Sequence, residues 1–294
     1  MFPVYTSDDI VALAADSRIR LGVIGNPIAH SKSPQMQQAA LDADGREYTY
    51  VRLLAGAEEG CFEALLQLLA ERGFIGANVT VPFKKKAFAA ATRTDALAGL
   101  SGAANTLVRR EDGWHGYNTD GPGFERAIQE LSGRTLREQR IVILGACGGA
   151  GSALCCQCVL SGCRHLTLVN RPRPELQQLL CHLTPHSEDD IQALTFDSPD
   201  VRSAVESAEL IVNATSLGLH TGDPLPLDVD RLHPGQIVYD IVTHTTPLQA
   251  AATERGCTVS DGLGMLLWQG AYAYRHWFGE LPDVERMRQA LSGC

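Results

Sequence analysis

The stretch GANVTVPFK (76–84) joins the end of a strand to the start of a helix. Polar and β-branched residues alternate as far as Val81, which is typical of a strand. Pro82 ends that strand because proline lacks the N–H that a sheet ladder needs, and it suits the first position of a helix. The segment 84–100, KKKAFAAATRTDALAGL, is rich in strong helix formers. We therefore predict a strand-to-helix junction with Lys84 in the first helical turn.

Lys84 is a candidate for proton transfer at this junction. The positive end of a helix dipole and partial burial in a cleft both favour an uncharged amine. Both effects lower the pKa of a lysine, and a lysine with a lowered pKa can act as a general acid or base. The alternative interpretation is that Lys84, Lys85 and Lys86 are solvated residues opening a surface helix. The rest of the chain has to decide between the two.

Composition sets the broad class of the protein. The chain has 294 residues, 45% hydrophobic and 20% charged, which suits two globular domains of ordinary size. A net charge of −9 argues against a general nucleic-acid partner. The long apolar run at 141–160 contains four glycines, and strand, glycine loop and helix explain it better than a membrane span. No signal peptide is visible at the start of this sequence, so we expect a cytoplasmic location and no membrane partner.

Nine cysteines are present, and four of them fall in one short apolar segment: Cys155, Cys156, Cys158 and Cys163. Their spacing lacks the paired pattern of zinc sites. We expect buried, reduced thiols on a helix in a reducing compartment, and no metal.

Strand and helix patterns alternate through the first half of the chain. Strands are predicted at 20–24, 47–53 and 106–109. A helix at 35–43 is predicted between the first two strands, and a helix at 58–71 between the second strand and the junction at 76–84. This order implies an open, largely parallel sheet, in which ligands bind beyond the carboxyl ends of the strands. Five polar side chains lie near such ends and are expected to converge on one ligand: Asn78, Thr80, Lys84, Asn105 and Asp120.

Ser31 and Ser33 stand in another strand-to-helix loop, within HSKSP (30–34). Two hydroxyls beside free helix N–H groups can hold a carboxylate or a polyol. The alternative is simple N-capping by Ser33, with Pro34 at the first helical position. Far along the chain, Gln269 is a lone amide on an otherwise apolar helix, which suggests that it contacts a ligand.

The second half contains the pattern of a dinucleotide-binding unit. A strand at 140–144 runs into GACGGAG (145–151), a helix at 152–160 and a strand at 166–169. The strict glycine spacing is not met, because Cys147 and Ala150 occupy the second and third glycine places. Arg171 and Arg173 follow where an NAD-binding unit often has an acid, which favours the 2′-phosphate of NADP. The alternative is a charged turn without a ligand.

The predicted cofactor-binding residues lie in these loops and in the loops after the later strands. They are Gly145, Ala146, Gly148, Gly149, Asn170, Arg171, Arg173, Thr215, Ser216, Ile241 and Gly262.

Six unusual blocks occur in one order: GNPIAHSKSP (25–34), GANVTVPFK (76–84), AANTL (103–107), NTDG (118–121), NATSLG (213–218) and DGLGMLLWQ (261–269). Together they resemble the shikimate dehydrogenase family over nearly the whole chain. The resemblance implies two α/β domains: a substrate domain at 1–120, joined by C-terminal helices at 265–294, and a Rossmann-type NADP-binding domain at 121–264. It also implies reversible reduction of 3-dehydroshikimate to shikimate with NADPH, in aromatic amino acid and chorismate biosynthesis.

Residue roles follow from the same resemblance. Ser31 and Ser33 are expected to hold the substrate carboxylate. Lys84 and Asp120 are expected to form the catalytic pair. The ring hydroxyls are expected to contact Asn78, Thr80, Lys84, Asn105, Asp120 and Gln269.

Three positions depart from the family pattern and leave alternatives open. Thr243 stands where a substrate-contacting tyrosine is usual, Cys147 replaces a glycine of the phosphate loop, and Pro172 replaces a threonine. A quinate/shikimate or aminoshikimate dehydrogenase of the same family is therefore a second hypothesis. A non-catalytic sensor of shikimate-type acids is a third, although a sensor has no need of a proton-transfer pair. A homodimer is also left open.

Overall fold

The computed structural model describes residues 2–293, and these divide into two compact α/β units. The first unit is Met1–Thr119 with Leu267–Cys294, and the second is Asp120–Leu266. Each has its own sheet and its own apolar core. The strands are β1 (Val4–Tyr5), β2 (Ile19–Gly25), β3 (Thr49–Leu54), β4 (Gly76–Val79), β5 (Arg93–Thr94), β6 (Thr106–Arg110), β7 (Gly113–Tyr117), β8 (Arg140–Leu144), β9 (His165–Asn170), β10 (Ile191–Thr195), β11 (Leu210–Asn213), β12 (Ile237–Asp240) and β13 (Thr258–Ser260).

The helices alternate with these strands along the chain. They are α1 (Ser7–Val11), α2 (Ser33–Ala43), α3 (Cys61–Glu71), α4 (Lys84–Ala90), α5 (Ala96–Ser101), α6 (Asp120–Ser132), α7 (Gly149–Leu160), α8 (Pro174–Leu183), α9 (Asp200–Ser207), α10 (Pro247–Glu254), α11 (Leu263–Phe278) and α12 (Val284–Ser292). None of those in residues 2–293 has the length and apolarity that crossing a bilayer requires.

The sheet of the first unit is mixed, with strand order β1-β3-β2-β4-β6-β7-β5. Neighbouring strands from β1 to β4 run parallel, whereas β6 pairs antiparallel with both β4 and β7. The tight turn between β6 and β7 explains the antiparallel pairing of these two strands, because strands joined by a short turn can pair only that way. The carboxyl ends of β2 and β4 thus lie side by side, next to the start of β6.

The second unit has a fully parallel sheet in the order β10-β9-β8-β11-β12-β13. The order reverses between β8 and β11, which is the arrangement of a Rossmann fold and of its ligand-binding crevice. Strand β8 is apolar almost throughout because it pairs on both sides and is covered by helices. The predicted α/β class, with a Rossmann-type second domain, is confirmed.

Several local predictions differ from the structure. Pro82 lies in a turn, and α4 begins two residues later at Lys84, with Phe83 at the cap position. Phe83 N–H donates to the Thr80 carbonyl, so a tight turn separates strand and helix. Ser33 is not a helix cap: Lys32 occupies that position of α2 and makes no side-chain capping bond. The N-capping alternative for Ser33 is therefore wrong.

Candidate functional site

Two strand ends form the base of the site in the first unit. The Thr80 N–H donates to the Ile24 carbonyl at 2.9 Å, and the Asn26 N–H donates to the Val81 carbonyl at 3.2 Å. Gly25 allows this approach, since a Cβ there would lie 2.6 Å from Thr80 Cγ2. The loop that carries Ser31 and the loop that carries Lys84 are therefore tied together by backbone hydrogen bonds.

Asn78 is held rigidly at the end of β4. Its side chain is 4% exposed. Its Oδ1 accepts from the Tyr50 hydroxyl at 2.7 Å, and its Nδ2 donates to Thr106 Oγ1 at 3.1 Å. Because buried amide groups are costly to leave unpaired, this network fixes the orientation of the side chain.

Asn105 connects Thr119 with Gln269 of α11 through its side-chain amide. Its Oδ1 accepts from the Thr119 N–H at 2.7 Å and from the Thr119 hydroxyl at 3.1 Å. Its Nδ2 donates to Gln269 Oε1 at 3.4 Å. The prediction that Gln269 contacts a ligand is untested, but its amide has a partner in the protein. Asn78, Asn105 and Gln269 are thus brought together, although they are far apart in sequence.

Ser31 and Ser33 lie at the start of α2. The Ser33 N–H donates to Ser31 Oγ at 3.3 Å, and Ser33 is 7% exposed. The first turn of α2 carries no acidic residue. A pair of hydroxyls at the positive end of a helix, without a competing carboxylate, has the chemistry to hold an anion.

Lys84 belongs to the first unit and Asp120 to the second. Lys84 is half-buried at the start of α4, and its carbonyl accepts from the Ala104 N–H at 3.0 Å, next to Asn105. Asp120 is the first residue of α6 and is 6% exposed. The catalytic pair stays a prediction.

The loop after β8 is shaped by glycines. Gly145 has φ +82°, and a Cβ there would lie 2.9 Å from the Thr215 nitrogen. A Cβ at Gly151 would lie 2.2 Å from the Gly145 carbonyl oxygen. Gly151, not Ala150, therefore provides the close approach between helix and loop that the third glycine of the motif supplies. The sequence contained this information, since Gly151 lies only one residue beyond the expected place.

Polar groups from the neighbouring strand ends surround this loop. The Cys147 N–H donates to Asn170 Oδ1 at 3.5 Å, at the end of β9. Arg171 and Arg173 follow and are exposed, as a phosphate-binding role requires. Burial raises the pKa of the Cys147 thiol, and the negative charge of Glu175 adds to this effect, so the thiol is protonated at neutral pH.

The ends of β11 and β12 are joined by buried hydrogen bonds. Asn213 Nδ2 donates to Asp240 Oδ1 at 3.1 Å, and Asn213 Oδ1 accepts from the Thr215 hydroxyl at 2.7 Å. Asp240 Oδ2 also accepts from the Thr246 hydroxyl at 2.7 Å. These bonds hold the Thr215 loop beside Gly145. Of the other predicted cofactor residues, Ala146 and Gly262 are buried, Ile241 is half-buried, and Gly148, Gly149 and Ser216 are exposed.

Gly262 resembles Gly151 in what it permits. A Cβ at this position would lie 2.1 Å from the Ile241 carbonyl oxygen, so only glycine fits this turn before α11. The Gly262 N–H donates to the Val242 carbonyl at 3.0 Å and closes the turn.

The cysteines in the described residues are free thiols. Burial raises the pKa of Cys156 to about 12 and that of Cys163 to about 11, which keeps both protonated. Cys163 lies beyond the end of α7, so the prediction that all four cluster cysteines share a helix is wrong for that residue. Within 2–293, no group of three or more His, Cys, Asp or Glu side chains is arranged to hold a metal ion.

Sequence reasoning missed several residues that support the site. Tyr50 and Thr106 hold Asn78, Thr119 holds Asn105, and Gly151 packs against the glycine loop. Arg52 was also missed, although a charged residue within an otherwise buried strand is unusual. It is 5% exposed, and its Nη2 donates to the Ser31 carbonyl at 2.6 Å.

Comparison with known proteins places these features in a family. The family model of the shikimate dehydrogenase substrate binding domain matches residues 23–107, and that of the shikimate 5'-dehydrogenase C-terminal domain matches residues 262–291. The chain is 39% identical over 280 residues to the shikimate dehydrogenase (NADP(+)) of Rubrobacter xylanophilus, a match that covers 93% of this chain and 95% of the relative.

Two solved structures have the same fold. Shikimate 5-dehydrogenase from Listeria monocytogenes, in complex with shikimate and NAD, matches with a TM-score of 0.85 and 29% identity over 95% of this chain and 98% of that one. Quinate dehydrogenase from Corynebacterium glutamicum, in complex with NAD, matches with a TM-score of 0.84 and 28% identity over 95% and 100% of the two chains. The resemblance inferred from the motifs is confirmed, and the chain belongs to the shikimate dehydrogenase family.

Proposed function

We propose that this protein reversibly reduces 3-dehydroshikimate to shikimate with NADPH, as a step of aromatic amino acid and chorismate biosynthesis. The observation that carries the proposal is a buried cluster in a shikimate dehydrogenase family member, in which Asn78 and Asn105 at strand ends meet Gln269 of α11. Amide groups held in this way offer both donors and acceptors, which suits a ring with several hydroxyls. The free cysteines support the cytoplasm as the compartment.

In this proposal the two hydroxyls of Ser31 and Ser33 bind the substrate carboxylate at the start of α2. Asn78, Asn105 and Gln269 bind ring hydroxyls, together with Thr80, which lies at the joined ends of β2 and β4. Rigid placement matters here, because positioning of the reacting carbon contributes much of the rate in such reactions.

We assign the proton transfer to Lys84 and Asp120. Reduction of a ketone builds negative charge on its oxygen, and an ammonium group beside that oxygen stabilises the charge and donates the proton. In the reverse direction the amine accepts the proton from the hydroxyl. Asp120 would orient the lysine and a substrate hydroxyl. The hydride comes from the nicotinamide when the cofactor is bound.

The second unit suits a dinucleotide phosphate. Gly145 and Gly151 let the loop after β8 pack closely against the Thr215 loop and the start of α7, so α7 directs its N-terminus at the loop. Arg171 and Arg173 would hold the 2′-phosphate that distinguishes NADP from NAD. Thr215, with its hydroxyl fixed on Asn213, would border the cofactor after β11.

Initial rates with shikimate and with quinate, each with NADP⁺ and with NAD⁺, test the proposal. We expect the highest kcat/KM for shikimate with NADP⁺. Turnover with quinate at a higher kcat/KM would establish the second hypothesis, which Thr243 and the similarity to a quinate dehydrogenase favour. Binding of shikimate without turnover of any pair would contradict the enzyme and leave a ligand sensor. We also propose a homodimer, and size-exclusion chromatography with light scattering measures its mass.

A further inference from the structure

Arg52 is a buried arginine in the middle of β3, with 5% of its surface exposed. Its backbone pairs with Val4 of β1 and Val23 of β2, so the residue lies inside the sheet and not at its edge. The guanidinium reaches the loop after β2, where Nε and Nη2 both donate to the Ser31 carbonyl, at 3.2 and 2.6 Å. Nη1 donates to the Phe2 carbonyl at 2.6 Å.

The charge of Arg52 has no acidic partner in the structure. No Asp or Glu among residues 2–293 forms an ion pair with it, and its hydrogen bonds go to carbonyl oxygens. Burial lowers the pKa of the guanidinium, but arginine starts so high that it stays charged. A buried charge without an opposite charge is costly and is usually paired or placed for a ligand.

The surroundings of Ser31 also favour an anion. The first turn of α2 has no acidic residue, and no side chain caps the N-terminus of this helix. Ser33 is 7% exposed, and its hydroxyl makes no hydrogen bond with the described residues. Three groups therefore meet at the loop that carries Ser31: the positive end of the eleven-residue helix α2, the Ser33 hydroxyl and the buried guanidinium of Arg52.

We propose that Arg52 is a positioning residue that makes the Ser31–Ser33 pair selective for a carboxylate over an uncharged group. Two N–H groups on one carbonyl fix the orientation of the peptide after Ser31, and so the direction of the Ser31 side chain. The same guanidinium contributes a positive potential that solvent screens only weakly, because it is buried. This inference rests on the proposed function, since it takes the carboxylate of shikimate as the anion.

The experiment compares shikimate with its methyl ester, which has the same ring and hydroxyls but no charge. Both are oxidised with NADP⁺ by the wild-type protein, Arg52→Met and Arg52→Lys. We expect Arg52→Met to lower kcat/KM for shikimate at least tenfold, mainly through KM, and to lower that for the ester less than threefold. The KM for NADP⁺ is expected to change less than twofold.

Arg72→Met is the matched control. Arg72 also bridges two backbone carbonyls in the same unit, those of Val11 and Leu13, but it does not contact the Ser31 loop. It should disturb packing in a comparable way and leave the preference for acid over ester within twofold of the wild type. If Arg52 had only a structural role, Arg52→Met would lower kcat/KM for shikimate and for its ester by the same factor, as a loss of folded protein does.

Arg52→Lys keeps the inference testable if Arg52→Met does not fold. Lysine retains the charge but not the two-pronged geometry, so we expect kcat/KM for each substrate to fall less than threefold and the preference for the acid to stay within threefold of the wild type. A tenfold fall of that preference in Arg52→Lys, or an unchanged preference in Arg52→Met, would overturn the inference. Wild-type protein that turns over neither substrate would instead refute the proposed function, so the two failures are distinguishable.

Discussion

Lys84 and Lys85 are adjacent residues in the first turn of α4, but they have different surroundings. Lys84 is half-buried and its backbone is tied to Ala104, whereas Lys85 is exposed. We predict that Lys84→Met lowers kcat for shikimate oxidation by roughly 10²- to 10⁴-fold, the range that a positioned general acid or base contributes. Its effect on KM should be within a few-fold. Steady-state kinetics at saturating NADP⁺ measures both.

Lys85→Met provides the control for this prediction. It removes an equal charge from the same helical turn, so it reproduces any effect of net charge or helix propensity. Its kcat should stay within twofold of the wild type. If Lys84→Met instead raised KM and spared kcat, Lys84 would bind substrate without transferring a proton.

His276 makes the first unit sensitive to acid. Its ring stacks on Tyr117 with centroids 3.9 Å apart. Burial, followed by the charges of Arg275 and Arg110, lowers the pKa of His276 to about 4. The unfolded chain, with a histidine pKa near 6.5, then binds more protons than the folded protein between these two values. His276 therefore does not lower the free energy of unfolding above pH 6.5, but it lowers this free energy progressively as the pH falls from 6.5 towards 4.

We predict that this residue contributes about 1–2 kcal/mol to the loss of stability between pH 7 and pH 4. The full shift would give roughly 3 kcal/mol, but the ring is only half-buried and solvent screens part of the effect. His276→Phe keeps an aromatic ring on Tyr117 and cannot titrate, so its urea-unfolding stability should depend less steeply on pH. Parallel pH curves for the two proteins would contradict the assignment.

Some site residues can be predicted from sequence because their chemistry conflicts with their position. Asn78 and Asn105 are polar residues at apolar strand ends, and that conflict identifies them. Arg52 presents the same conflict, yet the alternating pattern of its strand makes a charged residue seem to face solvent. Pairing on both sides makes β3 an interior strand of a largely parallel sheet, and the faces of such sheets are covered, so the side chain is enclosed. Sheet order is a long-range property, and local periodicity does not specify it.

At the level of elements, β4 has a particularly tight contact at its first residue. A Cβ on Gly76 would lie 2.1 Å from Trp277 Nε1 and 2.8 Å from the Leu107 carbonyl oxygen. These two atoms are themselves joined by a hydrogen bond of 3.0 Å. We predict that Gly76→Ala destabilises the protein by about 2–4 kcal/mol, through overpacking and loss of this bond. Chemical denaturation followed by tryptophan fluorescence measures the change.

Gly99→Ala is the matched control, because it adds the same methyl group to a glycine of α5. The nearest atom to a Cβ there is Thr94 Oγ1 at 3.9 Å, an ordinary contact. We expect this change to be neutral or stabilising by up to about 1 kcal/mol, since alanine favours helix. Equal effects of the two substitutions would mean that the environment of Gly76 tolerates a side chain.

The boundaries of elements were less predictable than their existence. Pro82 was expected to open a helix, but the turn that Phe83 closes onto Thr80 delays α4 until Lys84. The glycine loop shows the same difficulty, since the motif pattern points to Ala150 whereas packing selects Gly151. In both cases a contact between segments determines the outcome, and residue preferences alone do not contain that contact.

At the scale of the whole molecule, each unit has a sheet and a set of strand-end residues of its own. Ser33, Asn78 and Asn105 lie in the first unit, and Gly145, Arg173 and Thr215 lie in the second. The order of elements along the chain was sufficient to predict two α/β domains, because alternating strands and helices allow few topologies. The turn at Asp112 and Gly113 predicted that the chain returns after β6, but the antiparallel pairing of β6 with β4 was not predicted, since local patterns do not specify which strands pair.

This division predicts that substrate and cofactor affinities can be changed separately. Ser33→Ala should weaken shikimate binding by roughly tenfold, because it removes a hydrogen bond to a charged group, and should leave NADP⁺ binding unchanged.

Arg173→Ala should weaken NADP⁺ binding roughly ten- to a hundredfold by removing a charge-assisted hydrogen bond, with less than twofold change in the binding of NAD⁺ and shikimate. Isothermal titration of each ligand with each variant, and with the double variant, measures these affinities. Since each substitution acts within its own unit, the double variant should lose as much binding free energy for each ligand as the two single variants lose in sum. Equal weakening of NADP⁺ and NAD⁺ by Arg173→Ala would show that this arginine does not recognise the 2′-phosphate.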